Sequence, residues 1–169
     1  MVTKHSGFLI QSSYGTKGNF EVVFASTTGG LARAQRQNDV TGRPWIEPEY
    51  SRFDASFNKF IYGDFFASGE VGGISLIQSN FIDSGSSKGH LELVARMGDK
   101  LTLYWRTSEK PFIWNSTLFF ASGVSGNPAL IQSNYGTKGN FEVVVPLASA
   151  DWLIIRATTT SQAYPGAHQ

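Results

Sequence analysis

The chain has 169 residues, a formal net charge of +1, 41% hydrophobic and 16% charged residues, which is the chemistry of a packed domain rather than a disordered chain. Zero cysteines exclude a disulfide framework and thiolate metal sites. No dense Lys/Arg cluster gives the footprint of a nucleic-acid binder, and no run of eighteen apolar residues is available to span a membrane.

Thirteen Phe, six Tyr, four Trp and eighteen Gly favour many short strands joined by tight turns, and no helical period is strong anywhere. In chain order the pattern predicts strands at Phe8 to Gln11, Phe20 to Ala25 and Leu31 to Gln35, followed by a longer, less regular stretch through "PWIEPEYSRFDASFNKFIYGDFFASGEVGG". Regular alternation then returns at Ile74 to Gln78, His90 to Arg96, Leu101 to Trp105 and Ile113 to Ala121. The intervening "SSKG", "MGDK" and "TSEKP" carry turn chemistry. The N-terminal "MVTKHSGFLIQSSYG" lacks the apolar stretch of a signal peptide, so a soluble chain without an export signal is expected.

The chain spells one stretch twice. "LIQSSYGTKGNFEVV" at residues 9–23 returns as "LIQSNYGTKGNFEVV" at 130–144, changed only from Ser13 to Asn134. A diverged copy at 75–106 keeps Leu76, Ile77, Gln78 and Ser79, then a Gly before "HLELV". The three starts are 67 and 54 residues apart, in the range of a four-stranded repeat unit. One repeat domain over 1–169 follows, with unit one at 8–74, unit two at 75–128 and unit three at 129–169. The expected fold is all-β, built of β-propeller-type blades of four antiparallel strands. Because propellers use about four to eight blades, three units are expected to complete their ring by pairing with a second copy. A three-fold trefoil or a prism is the alternative.

Unit three ends oddly. After "VVVPLAS" it reads "ADWLIIRATTTSQAYPGAHQ", unlike either earlier unit. Back-translated with chosen codons and read one nucleotide out of step, this tail yields a pattern close to that of Leu31 to Trp45. It is therefore expected to be a frame-shifted remnant of a longer array.

Strand two of every unit carries a Glu between apolar neighbours, Glu21, Glu92 and Glu142, and period-two geometry turns it away from Phe20 and Val22 or from Leu91 and Leu93. Such a Glu either reaches a sheet margin or meets a polar partner, for example a Lys, a Gln or a backbone amide. Its recurrence marks scaffold rather than a catalytic pair, which needs two facing carboxyls in different environments. The Gln of "LIQS" (Gln11, Gln78, Gln132) likewise suggests a bond to neighbouring backbone that holds register between units.

Nucleophile and metal motifs are absent, and "SSYGTKGN" lacks phosphate-loop spacing, so no enzyme, no cofactor and no metal are expected. Two polar-aromatic sets stand out as ligand-binding candidates. The middle unit supplies Tyr104, Trp105, Arg106 and Trp114, and the first supplies Arg36, Asn38 and Trp45. Aromatic faces suit the C–H side of a sugar ring, while Arg and Asn meet its hydroxyls. The competing role for each Trp is packing within its unit. "LIQS", then "GNFEVV" or "GHLELV", then "YWR" and "PW" or "IW", across residues 8 to 145, resembles the repeats of lectin-like propeller proteins. The resemblance implies glycan binding between adjacent blades without a cofactor.

Three functions are weighed: a multivalent carbohydrate-binding propeller, a self-assembling repeat protein without a ligand, and, last, a glycan-active enzyme. The last would have to use the irregular segment with Asp54, Tyr62 and Asp64. Expected partners are a glycan and a second copy of the chain, with no nucleic acid and no membrane.

Overall fold

The computed structural model describes residues 7–26, 29–46, 66–67, 69–108, 114–135 and 139–157, together with the backbone of 51–54 and 59–62. Every regular element among them is a strand, and no helix is long and apolar enough to cross a membrane.

Unit one forms an antiparallel sheet in the order β1 (Gly7–Gln11), β2 (Phe20–Ala25), β3 (Leu31–Arg36) and β4 (Trp45–Ile46). The irregular stretch that follows holds a separate hairpin, β5 (Ser51–Asp54) with β6 (Lys59–Tyr62). The second sheet runs β7 (Val71–Gln78), β8 (Leu91–Met97), β9 (Lys100–Arg106) and β10 (Trp114–Ser116). A third contains β11 (Ala129–Gln132), β12 (Phe141–Pro146) and β13 (Trp152–Ala157). The sheets do not close on themselves or on one another.

Two details stand out. Unit three shows three strands among its described residues, against four each in units one and two. In unit two the last strand is only three residues long, and Ala121 returns to the sheet as an isolated bridge to Leu101. The altered tail nevertheless supplies β13, since "WLIIRA" keeps enough β-branched and apolar residues to pair with all of β12.

The register makes the three sheets superimposable in sequence terms. Phe20 faces Arg36, Leu91 faces Arg106, and Phe141 faces Ala157. Alternation then sorts side chains between two faces. One face of sheet one, with Val23 and Leu31, packs against Leu76, Leu91 and Leu93 of sheet two in the first core cluster. The other face of sheet two, with Val94, Leu101 and Leu103, packs against Leu130, Phe141 and Val143 of sheet three in a second cluster. Each fully buried Leu is worth about 1.5–3 kcal/mol of apolar burial, so both seams are substantial sources of stability.

The turn joining the first two strands is held alike in all units. Ser12 N–H donates to Asn19 O (2.8 Å), Ser79 N–H to His90 O (2.9 Å) and Ser133 N–H to Asn140 O (2.8 Å). A glycine precedes the accepting residue each time, Gly18, Gly89 and Gly139, because a Cβ there would overlap the carbonyl oxygen of Ser12, Ser79 or Ser133. That oxygen is backbone and cannot swing aside. Gly89→Ala is therefore expected to cost about 2 kcal/mol or more, by forced displacement in a packed region. Chemical denaturation would measure it, with Gly85→Ala, in open space but at positive φ, as the milder comparison.

Candidate functional site

The strand-two glutamates occupy one structural position in three electrostatic settings. Glu21 is fully buried against sheet two and bound by Arg33, whose Nε donates to Oε2 at 3.0 Å and whose Nη2 reaches the same oxygen; Ser12 Oγ donates to Oε1 at 3.3 Å. The residue at the Arg33 position in unit two is Leu103. Glu92, equally buried, has only Ser79 Oγ on Oε1 at 3.1 Å, and Oε2 has no hydrogen-bond partner. His90 Nδ1 lies 3.9 Å away. Burial pushes the Glu92 carboxyl up to about 8, the Ser79 bond opposing it only in part. Glu142 faces outward and meets Arg156 Nε at 3.2 Å. The partners are thus Arg and Ser, not Lys, Gln or a backbone amide.

The Gln of "LIQS" in units two and three reaches across a seam. Ser13 N–H donates to Gln78 Oε1 at 2.6 Å, and Asn80 N–H donates to Gln132 Oε1 at 2.8 Å. Gln78 Nε2 meanwhile donates to Gly89 O within its own unit at 3.1 Å, as Gln11 Nε2 does to Lys17 O at 3.0 Å. An aromatic residue follows the Gln in each unit, and those of units one and two enter the next unit. The Tyr14 hydroxyl donates to Gly89 O at 2.7 Å beneath the Arg106 guanidinium, 5.2 Å from the ring centre, and Phe81 packs on Phe141 at 5.4 Å.

The middle-unit candidates divide between these seams. Tyr104, Arg106 and Trp114 share the face toward unit one. Tyr104 is buried with its ring edge on Phe66 at 5.6 Å, and burial raises its phenol above the ordinary value. Trp114 stacks flat on Phe66, 4.1 Å between ring centres and 5° between planes, its indole N–H buried without a hydrogen-bond partner. Trp105, half-buried, lies opposite Glu92 on the other face.

The unit-one candidates gather on the outer face of sheet one. A pocket of about 180 Å³ is lined by Gln11, Lys17, Phe20, Arg36, Asn38 and Arg43. The Arg36 guanidinium lies over the Phe20 ring at 4.1 Å, and its Nε donates to Asn38 Oδ1 at 3.0 Å. Asn38 is fixed in turn, its N–H on Asn19 Oδ1 at 3.1 Å and its amide nitrogen on Gly18 O. Trp45 pairs with Arg36 across β3 and β4, on the same sheet face and 50% exposed. Beside the pocket, the N–H groups of Thr16 and Lys17 donate to Asp39 and hold its carboxyl below the usual range. Arg43 takes a left-handed backbone, φ 46°, in the turn before Pro44, a strain that non-glycine residues carry only where the surroundings impose it.

A second polar cluster involves the longer unit-two turn. His90 Nε2 lies 3.0 Å from Asp83 Oδ1, while Ser108 N–H and Oγ donate to Asp83 Oδ2 at 2.9 and 3.2 Å. Burial pushes the Asp83 carboxyl up, but His90 and Ser108 together pull it below the ordinary value. Asp64, and the side chains of Asp54 and Tyr62, lie outside the described residues.

Sequence reasoning named Arg36, Asn38 and Trp45 but not Gln11, Lys17, Phe20 and Arg43 as their companions. Three of these lie in the repeated "LIQS…TKGNF" stretch, where recurrence reads as scaffold. In comparisons with known proteins, no family model matches the chain, and no curated protein matches it.

Glu92 gives a pH prediction. Its carboxyl is protonated more readily folded than unfolded, so the proton-linked stability is full below about pH 4.5 and is lost as pH rises toward 8. Glu92→Gln is therefore expected to exceed the parent in stability at pH 8 by ~1 kcal/mol or more, a rise in Tm of about 2–4 °C, and to lose that advantage near pH 5. Thermal melts of both proteins across this range would reveal it. An advantage that does not change with pH would contradict the assignment.

Proposed function

We propose that the chain is a non-enzymatic carbohydrate-binding protein of propeller-type blades, acting through several weak sites. The observation that supports this is the unit-one pocket. It combines donors of Arg36, Asn38, Gln11 and the exposed Lys17 with an exposed Trp45 indole on the same sheet face, in a volume suited to a single sugar ring. A sugar needs that division of labour: an apolar plane for its C–H face and preplaced donors for its hydroxyls. Asn38 is locked by three hydrogen bonds and Arg36 by its place over Phe20, so little ordering is left for the ligand to impose. A weak site gains from repetition, since linked sites raise avidity by about 10²–10⁴ without new contacts.

Assembly through open sheet faces, without a ligand, is the second reading. It is favoured by the apolar side chains exposed at both ends of the array, Leu9 and Phe24 on sheet one and Ile131, Trp152 and Ile154 on sheet three.

A glycan array followed by titration calorimetry tests the carbohydrate reading. Arg36→Ala and Trp45→Ala are each expected to weaken sugar binding about tenfold or more, by ~1–3 kcal/mol. Trp114→Ala, which strips a core stack, should lower Tm and leave sugar affinity nearly unchanged. No binding to any sugar, or binding indifferent to Arg36 and Trp45, would overturn the reading.

A further inference from the structure

Both seams are built from the same parts in the same direction. The unit ahead offers a backbone N–H, Ser13 or Asn80, and an aromatic ring, Tyr14 or Phe81. The unit behind receives them with a Gln carbonyl, Gln78 or Gln132, and the first residue of its second strand, Leu91 or Phe141. In the first seam an Arg covers the incoming ring.

The parts for one more seam are present at the two ends of the chain. Unit three ends in the offering pair: Asn134 occupies the position of Ser13 and Asn80, and Tyr135 that of Tyr14 and Phe81. Tyr135 is 68% exposed, beside a sheet face that also exposes Ile131, Trp152 and Ile154. Unit one begins with the receiving set, since Gln11 matches Gln78, Phe20 matches Leu91 and Arg36 matches Arg106. Those three residues line the 180 Å³ pocket. Where the first seam is filled by Tyr14, the corresponding place on unit one is a pocket that no described residue fills.

We propose that a second copy of this chain docks head to tail, seating its Tyr135 in the Gln11, Phe20 and Arg36 pocket, with its Asn134 N–H on Gln11 Oε1. Two copies joined this way at both ends close a ring of six units through two identical seams, a heterologous contact whose rotation closes. The free face of sheet three then meets the free face of sheet one, Ile131, Trp152 and Ile154 against Leu9 and Phe24, as the internal seams bury their own apolar faces. One difference sits in the receiving set: Gly18 O, which matches the acceptor of the Tyr14 hydroxyl, already takes the Asn38 amide. The incoming tyrosine hydroxyl therefore shares that acceptor. Gln11 and Arg36 thus belong to both the seam and the sugar site, so seating Tyr135 and binding a sugar in this pocket exclude each other.

Light scattering on a sizing column, over a dilution series and without sugar, tests the seam. The parent is expected at twice the 18.5 kDa chain mass. Tyr135→Glu, at a residue 68% exposed in the chain, should return it to a single chain with unchanged circular dichroism, and with a Tm that no longer depends on protein concentration. Orientation is tested in the cysteine-free background by oxidising Gln11→Cys mixed with Asn134→Cys. The mixture should yield a cross-linked pair in clear excess over either variant alone. A parent of single-chain mass at every concentration, an assembly untouched by Tyr135→Glu, or cross-linking no better in the mixture would overturn the proposal. Because the two compete, sugar binding is read on the Tyr135→Glu chain: an assembling parent whose Tyr135→Glu form binds no sugar removes only the carbohydrate reading, and a single-chain parent that binds sugar removes only the seam.

Discussion

The structure depends on a glutamine carbonyl that accepts a backbone N–H from the neighbouring unit. Apolar burial holds the sheets together, but burial is non-directional and would tolerate sliding of one sheet over another. The bonds from Ser13 to Gln78 and from Asn80 to Gln132 remove that freedom, because each fixes a backbone atom of one sheet against the strand end of the next. The Gln78 amide also ties its own unit's turn, so that one side chain couples turn geometry to seam geometry. Repeating the sequence repeats the seam, which is the physical content of the near-identity between residues 9–23 and 130–144.

Equivalent positions do not have equivalent electrostatics. Glu21 has the Arg33 guanidinium on its carboxylate, and Glu92 resists ionisation because it is buried with Leu103 at the position of Arg33. Glu142 has no sheet over it and pairs with a solvated Arg156. A buried carboxylate without a cation is costly. Unit two therefore trades pH-independent stability for an apolar contact with sheet three.

Much of the fold was legible because alternation, turn glycines and the repeat all point the same way. The first three strands of units one and two fell within a few residues of the pattern, and the all-β class follows from them. The fourth strand was less legible: Trp114 to Ser116 is short, since the chain after it returns by an isolated bridge rather than a ladder. The site was half legible. Arg36, Asn38 and Trp45 share one face through the pairing of β3 with β4, but the pocket's other wall comes from β1 and the following turn. Composition does not reveal that approach. "LYWR" read as one cluster, yet strand alternation sends Tyr104 and Arg106 to one seam and Trp105 to the other. The exposed Tyr135 was hidden for another reason, since only the filled places of Tyr14 and Phe81 show what it lacks.

Gln11 and Gln78 make the central claim directly testable, being the same residue at the same repeat position, each with its amide on a carbonyl of its own turn. Only Gln78 also accepts from a neighbouring unit. Denaturant unfolding of Gln11→Ala and Gln78→Ala at high dilution, where the chain is single, isolates the seam bond as the difference. The account predicts that Gln78→Ala costs more by ~1 kcal/mol, the net worth of a hydrogen bond plus the stranded Ser13 donor. Equal losses in the two variants would contradict it, and the sheets would then be held by apolar burial alone.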